Sequence, residues 1–233
     1  RREPQLHEVA AEIEARGGEA LVLPADLGDL AQALSCAEKA TVAFGGVDLL
    51  VNNAGYGHHR RFLDWDLADM EQLMRVNYFG ALRMTKALLP QMVARERGWV
   101  VFVSSVAGKI APPDESAYAA SKFALVGLAG ALSLEVEDAG VHVLTVCPGV
   151  IRTPFFDAEA LERMPAVAQR QMAEPEGLVD AIVRALAEGR REITWPRWIA
   201  PTYALQALAP GLVRWGVRRT TLGERARKRS RDR

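Results

Sequence analysis

The spacing of apolar positions switches repeatedly along the chain, and each switch marks the end of one predicted element and the start of the next. From Pro4, Leu6, Val9, Ala10 and Ile13 recur at helical spacing until Gly17-Gly18 stops them. The short apolar run 20–24 predicts a buried strand that ends at Asp26-Leu27. A helix over 29–44 closes at Gly45-Gly46, and 47–51 predicts a second buried strand running into Asn52-Asn53-Ala54-Gly55. Then come a long helical stretch over 67–94, a strand over 99–103, a helix over 116–137 and a strand over 141–146 that ends in Cys147-Pro148-Gly149. A helix over 176–189 and a short strand over 193–195 complete the alternation. Continuous apolar strands separated by helices predict an α/β fold, a doubly wound parallel sheet with helices on both faces.

The chemically distinctive residues gather at one level of this scheme. Asp26, Asn53 to Gly55, Ser105 and Pro148-Gly149 each lie just past the carboxyl end of a predicted strand. Open parallel sheets bind ligands along that edge, so a cleft is expected there. The helix over 116–137 adds Tyr118 and Lys122, which share a face at i and i+4. A cation beside a phenol lowers its pKa, and a strand-tip serine can polarise a substrate oxygen. The expectation is a proton-transfer site made of Ser105, Tyr118 and Lys122.

These residues resemble the short-chain dehydrogenase/reductases, which pair Tyr-x-x-x-Lys with an upstream serine. Here Tyr118 and Lys122 match the pair, and Ser105 matches the serine. The resemblance runs from Arg1 to about Pro196, the span read as a Rossmann-like dinucleotide-binding and catalytic domain. It implies a hydride transfer between NAD(P) and a carbonyl or alcohol, with Asn77 as a fourth catalytic residue holding a relay water. It also implies cofactor contacts from Asp26 and Leu27 at the adenine, Asn53, Ala54 and Gly55 near its ribose, and Pro148, Gly149, Val150, Ile151 and Thr153 at the nicotinamide amide. Tyr118 and Lys122 would touch the cofactor as well. A non-catalytic cofactor-binding scaffold is the rival, and the presence of all four catalytic types argues against it. The family's Thr-Gly-x-x-x-Gly-x-Gly phosphate loop does not occur in the sequence. An N-terminal βαβ unit of roughly 30 residues or more is therefore expected upstream of Arg1, and a polypeptide without it is expected to bind cofactor poorly.

Arg1 and Arg2 would stand at the turn facing the adenosine ribose, where arginine accommodates a 2′-phosphate. NADP(H) is accordingly favoured over NAD(H). Phe155, Phe156, Leu161, Met164 and Met172 fall in a variable lid over about 152–174. Their character suits an apolar lipid, steroid, retinoid or long-chain ketone, or simply packs the lid. A 3-ketoacyl thioester is the runner-up substrate. His58 and His59 are expected to be solvated, no metal site is expected, and Cys147 reads as a strand residue.

Composition changes this picture mainly at the C-terminus. With 49% hydrophobic and 25% charged residues the 233-residue chain can build one substantial core. Net charge is zero, yet 214–233 holds nine Arg/Lys against two Asp/Glu. Residues 198–213 carry no charge and are interrupted by Pro201 and Pro210, too short and broken for a membrane span. The 197–233 segment therefore reads either as a peripheral contact with an anionic membrane or as a helix over the substrate mouth or a subunit interface followed by a loose tail. Nucleic acid is not expected, because no reading motif accompanies the charge. Two distant cysteines, Cys36 and Cys147, fit a reduced cytoplasmic protein. A homo-oligomer is implied by the resemblance alone.

Overall fold

In the computed structural model, which describes residues 3–155, 161, 164 and 166–219, four parallel strands form the centre. They are β1 (Leu49–Asn52), β2 (Gly98–Val103), β3 (Val141–Pro148) and β4 (Glu192–Trp195), in the spatial order β1-β2-β3-β4. The register aligns Leu50 with Val100, Val100 with Val143, and Cys147 with Thr194. The helices are α1 (Glu3–Ala15), α2 (Leu30–Phe44), α3 (Leu67–Met74), α4 (Ala81–Ala94), α5 (Ser116–Glu135), α6 (Ala166–Arg170), α7 (Pro175–Ala187), α8 (Pro201–Leu208) and α9 (Pro210–Val217).

Alternation along the strands assigns the two faces. Val100, Phe102 and Val143 join Ala33 and Ala37 of α2, Leu88 and Met92 of α4, and Leu125 and Ala129 of α5 in one core. Val101, Leu144 and Val146 point the other way, onto Ala185, Leu178, Ile182 and Leu186 of α7. Helices thus cover both faces of the parallel sheet over β2 and β3, whose unbroken apolar runs are buried, whereas Leu49 and Val51 leave one face of the edge strand β1 exposed.

Helix ends follow their local chemistry. Asp29 caps α2 by accepting from the Gln32 amide at 2.9 Å, and Gly45, at φ 70°, ends it in the left-handed region. Proline opens α7, α8 and α9, where a missing N–H costs nothing. The stretch read as one helix over 67–94 is two helices joined by a π-helical turn, Arg75–Gly80.

One predicted element is absent: residues 18–26 are not in a strand. The run 20–24 has a strand's composition, but a strand exists only through a ladder, and among the described residues none pairs with it. Leu21 stays 44% exposed as a result.

Candidate active site

All four strands end on the same edge of the sheet because all run parallel, and the residues that follow them converge there. After β2 the chain passes Ser104 and Ser105 into a short turn, Val106–Gly108. The Ser105 hydroxyl accepts from the Ala107 amide at 3.1 Å and lies near enough to the Tyr118 phenol to act on its pKa. Ser104 is buried and donates to the Lys122 carbonyl at 2.9 Å, which ties the strand tip to α5. Lys122 is buried too, its Nζ donating to the Val103 carbonyl at 2.8 Å and lying 5.7 Å from the centre of the Tyr118 ring. Serine, phenol and ammonium therefore meet at the sheet edge, as their spacing predicts.

The electrostatics differ from the sequence expectation. Burial raises the Tyr118 pKa above its ordinary value, the Ser105 hydroxyl opposes that rise, and the Glu115 carboxylate adds to it. The same burial brings Lys122 down to about 8. Desolvation is the largest effect on the phenol, and the Lys122 ammonium ion, which donates to the Val103 carbonyl, is not among the groups that offset it. Tyr118 is a neutral phenol over the physiological range, suited to donating a proton. Burial likewise pushes the Cys147 thiol up to about 12, which leaves it inert.

Asn77 sits inside the π-helical turn with no exposed surface, and such turns are frequent at functional sites. Its carboxamide accepts from the Tyr56 amide at 3.0 Å and donates to the Tyr56 carbonyl at 2.8 Å and to Ser121 Oγ at 3.1 Å. It thereby pins the loop after β1 against α5. A Cβ added at Gly55 would lie 3.1 Å from Asn77 Oδ1 and 3.6 Å from Lys122 Nζ, so the lack of a side chain lets main chain approach the lysine. Asn53 and Ala54 precede it, exposed at the strand tip.

Asp26 accepts from the Gly28 amide at 2.9 Å, closing a local turn. Arg83 holds that turn from α4, donating to the Leu27 carbonyl at 3.1 Å and the Gly28 carbonyl at 2.7 Å. On the far side, Gly149 donates to the Trp195 carbonyl at 2.7 Å, and Val150 and Arg152 exchange backbone bonds with Ala173 at 2.9 Å, with Ile151 bridged to the same residue. Thr153 is exposed just beyond. Phe155 packs on Tyr118 with ring centres 5.9 Å apart, and Met164 is buried. A recess of about 450 Å³ is lined by Arg152, Leu161, Gln169 and Met172. Arg1 and Phe156 lie outside the described residues.

Sequence reasoning missed three participants. Gly57 approaches Tyr118 so closely that a Cβ there would fall 2.8 Å from its Cδ2. Arg83 carried no local signal, since its partners are 55 and 56 residues away. His59, expected in solvent, lies 3.0 Å from Glu115 with its side chain 13% exposed, whereas His58 is exposed and stands between Tyr56 and Trp65. Among the described residues no cluster of His, Cys, Asp and Glu could hold a metal.

A dinucleotide fits this edge. Lys122 has spare N–H donors on a buried ammonium ion, Gly55 leaves open backbone beside it, and the 26–28 turn and 149–153 segment flank it on either side. The comparisons agree with that geometry. Residues 1–163 match the family described as short chain dehydrogenase. Oxidoreductase UcpA of Escherichia coli K12 is 36% identical over 184 residues, covering 78% of this chain and 67% of its own. A short-chain dehydrogenase/reductase of Burkholderia phymatum, solved in complex with NAD, superposes with a TM-score of 0.80 at 26% identity, covering 91% of this chain and 83% of its own. A metagenomic short-chain oxidoreductase in complex with NADP gives a TM-score of 0.69 at 30% identity, over 83% and 81% of the two chains. With the family model spanning more than half its length, this chain belongs to the short-chain dehydrogenase/reductase family of oxidoreductases.

Proposed function

We propose that this protein interconverts an apolar ketone or aldehyde and its alcohol, with NADP(H) as the preferred cofactor. The observation that carries the proposal is the buried Lys122 ammonium ion 5.7 Å from the centre of the Tyr118 ring, at the strand tip that carries Ser105. When bound, the nicotinamide supplies or accepts the hydride. The protein's own part is to orient the substrate and move a proton. Ser105 holds the substrate oxygen, and Tyr118, kept neutral by burial, gives its proton to that oxygen as negative charge develops. Lys122, buried and brought down to about 8, holds the cofactor ribose and passes a proton toward Tyr118. Asn77 keeps Gly55 and Tyr56 against α5 and would position the water that relays protons to Lys122. Asp26 and Leu27 take the adenine end, Asn53 to Gly55 its ribose, and Pro148 to Ile151 with Thr153 the nicotinamide amide. A neutral phenol is the form that reduction requires.

An apolar substrate is supported by Phe155 against the Tyr118 ring and by Met164 and Met172 in the lid. NADP(H) is supported by Arg1 and Arg2 at the start of the matched span, and the solved relatives bind NADP in one case and NAD in the other. Residues up to Pro196 form the catalytic domain, and 197–233 are an appendage to it. The exposed apolar residues Phe123 and Leu134 on α5 support a homo-oligomer, and two free cysteines support a reducing, cytoplasmic setting. A panel of apolar and polar carbonyls assayed with NADPH and NADH on the full-length protein tests the proposal. Reduction of apolar ketones with NADPH, shifting toward NADH in Arg1→Asp, is the expected result. Absence of turnover across the panel with either cofactor overturns the reaction, and an unchanged preference in Arg1→Asp overturns the cofactor assignment.

A further inference from the structure

Helices α8 and α9 combine exposed apolar side chains with charge of one sign, whereas α1, which also buries no residue, carries acids along its length. Neither buries a residue. Leu208 is 86% exposed, Leu212 61%, Trp215 60% and Trp198 56%. Such a cluster of large apolar side chains on a folded chain marks a contact surface. The charge carried by this stretch of chain has one sign, the neighbouring acid Glu192 being paired with Lys109. From Ile193 to Gly223 there is no acidic residue, while Arg197, Arg214, Arg218 and Arg219 all lie within that span. The Arg219 guanidinium sits 5.1 Å from the centre of the Trp215 ring, so cation and indole share one patch.

We propose that α8 and α9 dock on an anionic lipid surface, Leu208, Leu212 and Trp215 entering the interface while Arg214, Arg218 and Arg219 meet phosphate headgroups. Apolar residues with tryptophan and arginine beside them are the composition of an interfacial helix. Two helices of eight residues each are too short to span. Among the described residues one helix, α5, is long and apolar enough to cross a membrane, and its Leu125 and Ala129 are packed in the core. A second copy of the chain is a poor occupant of the patch. A two-fold contact would bring the same three arginines of both copies together with no acidic residue on α8 or α9 to compensate.

The patch is anchored beside the reaction site. Ile199 reaches to within 2.8 Å of where a Cβ of Gly149 would lie, and the Tyr203 hydroxyl is 3.4 Å from Thr194 Oγ1 at the tip of β4. Docking therefore holds the substrate side of the sheet near lipid, from which an apolar carbonyl compound would enter. That last step rests on the apolar-substrate reading above, whereas the docking itself does not.

The test is flotation of the full-length protein with vesicles of pure phosphatidylcholine and with vesicles containing 30% phosphatidylglycerol, in low and high salt. Binding to the anionic vesicles alone, weakened by salt, is expected. The exposed variant Leu208→Gln/Leu212→Gln/Trp215→Gln should weaken it on the order of 100-fold while melting like wild type and turning over a short water-soluble carbonyl normally. Equal binding to both vesicle types, no binding to either, or undiminished binding by the triple variant overturns the proposal. So does a dimer in solution that the variant splits, which would assign the patch to a second copy. Loss of turnover on soluble carbonyls in the wild-type protein would instead overturn the reaction and leave docking standing.

Discussion

Replacing Gly57 with alanine probes how tightly the fold fixes the reacting phenol. The backbone at Gly57 is not in the left-handed region, so alanine can adopt it without strain. The added methyl, however, would fall 2.8 Å from Tyr118 Cδ2 and 3.2 Å from Cε2 and Cγ. To reach an ordinary contact of 3.4 Å the ring must recede by roughly 0.6 Å, and Phe155 packs against it with ring centres 5.9 Å apart. Misplacement by 1 Å costs about 100-fold in a positioned reaction, so kcat should fall between about 10-fold and 100-fold. Overpacking should cost about 1–3 kcal/mol of stability. Cofactor affinity, measured by quenching of protein fluorescence, should hardly change. Gly130→Ala is the control, because it lies on α5 with Tyr118 and has nothing within 4 Å of an added Cβ. It should keep full activity and gain about 0.5–1 kcal/mol. A Gly57→Ala protein within twofold of wild-type kcat would refute the reasoning, since the ring would then have freedom that the contact denies it.

Other predictions concern the groups around that ring. Lys122 titrates at 10.5 when unfolded and about 8 when folded, so its cost is fully present below pH 8 and disappears as pH rises toward 10.5. Lys122→Met should be more stable than wild type at pH 7 by about 2 kcal/mol, from about 3 kcal/mol of relieved desolvation less about 1 for the lost Val103 bond. Urea unfolding at pH 7 and pH 10 checks this, and an advantage that grows with pH contradicts it. Arg83→Leu removes both bonds to the 26–28 turn, which should raise KM for the cofactor severalfold with kcat intact, and a change in kcat alone would speak against that role. Glu115→Gln removes a charge that raises the Tyr118 pKa, so the basic limb of the kcat/KM profile for reduction should move to lower pH, and an unmoved limb would detach Glu115 from the phenol.

Much of this fold could be read in advance because its elements are set by short-range pattern. Continuous apolar runs place β1 to β4, and helical spacing with Gly45 and the prolines places most helix ends. Ser105, Tyr118 and Lys122 were legible for the same reason, since one strand tip and one helix face bring them together. What stayed hidden depends on partners distant in sequence. The run 20–24 fails as a strand because pairing, not composition, makes a ladder. His59 looks like a surface histidine until the chain folds it onto Glu115. The Tyr118 pKa moves opposite to the expectation because burial, which only the folded chain creates, is the largest effect on the phenol.

The central claim is that the Tyr118 hydroxyl is the proton donor of a hydride-transfer reaction. Tyr118→Phe, measured in the full-length protein by NADPH consumption with an apolar ketone, should lose between about 100-fold and 10,000-fold in kcat while binding the cofactor as wild type does. Turnover within a few-fold of wild type would contradict the account.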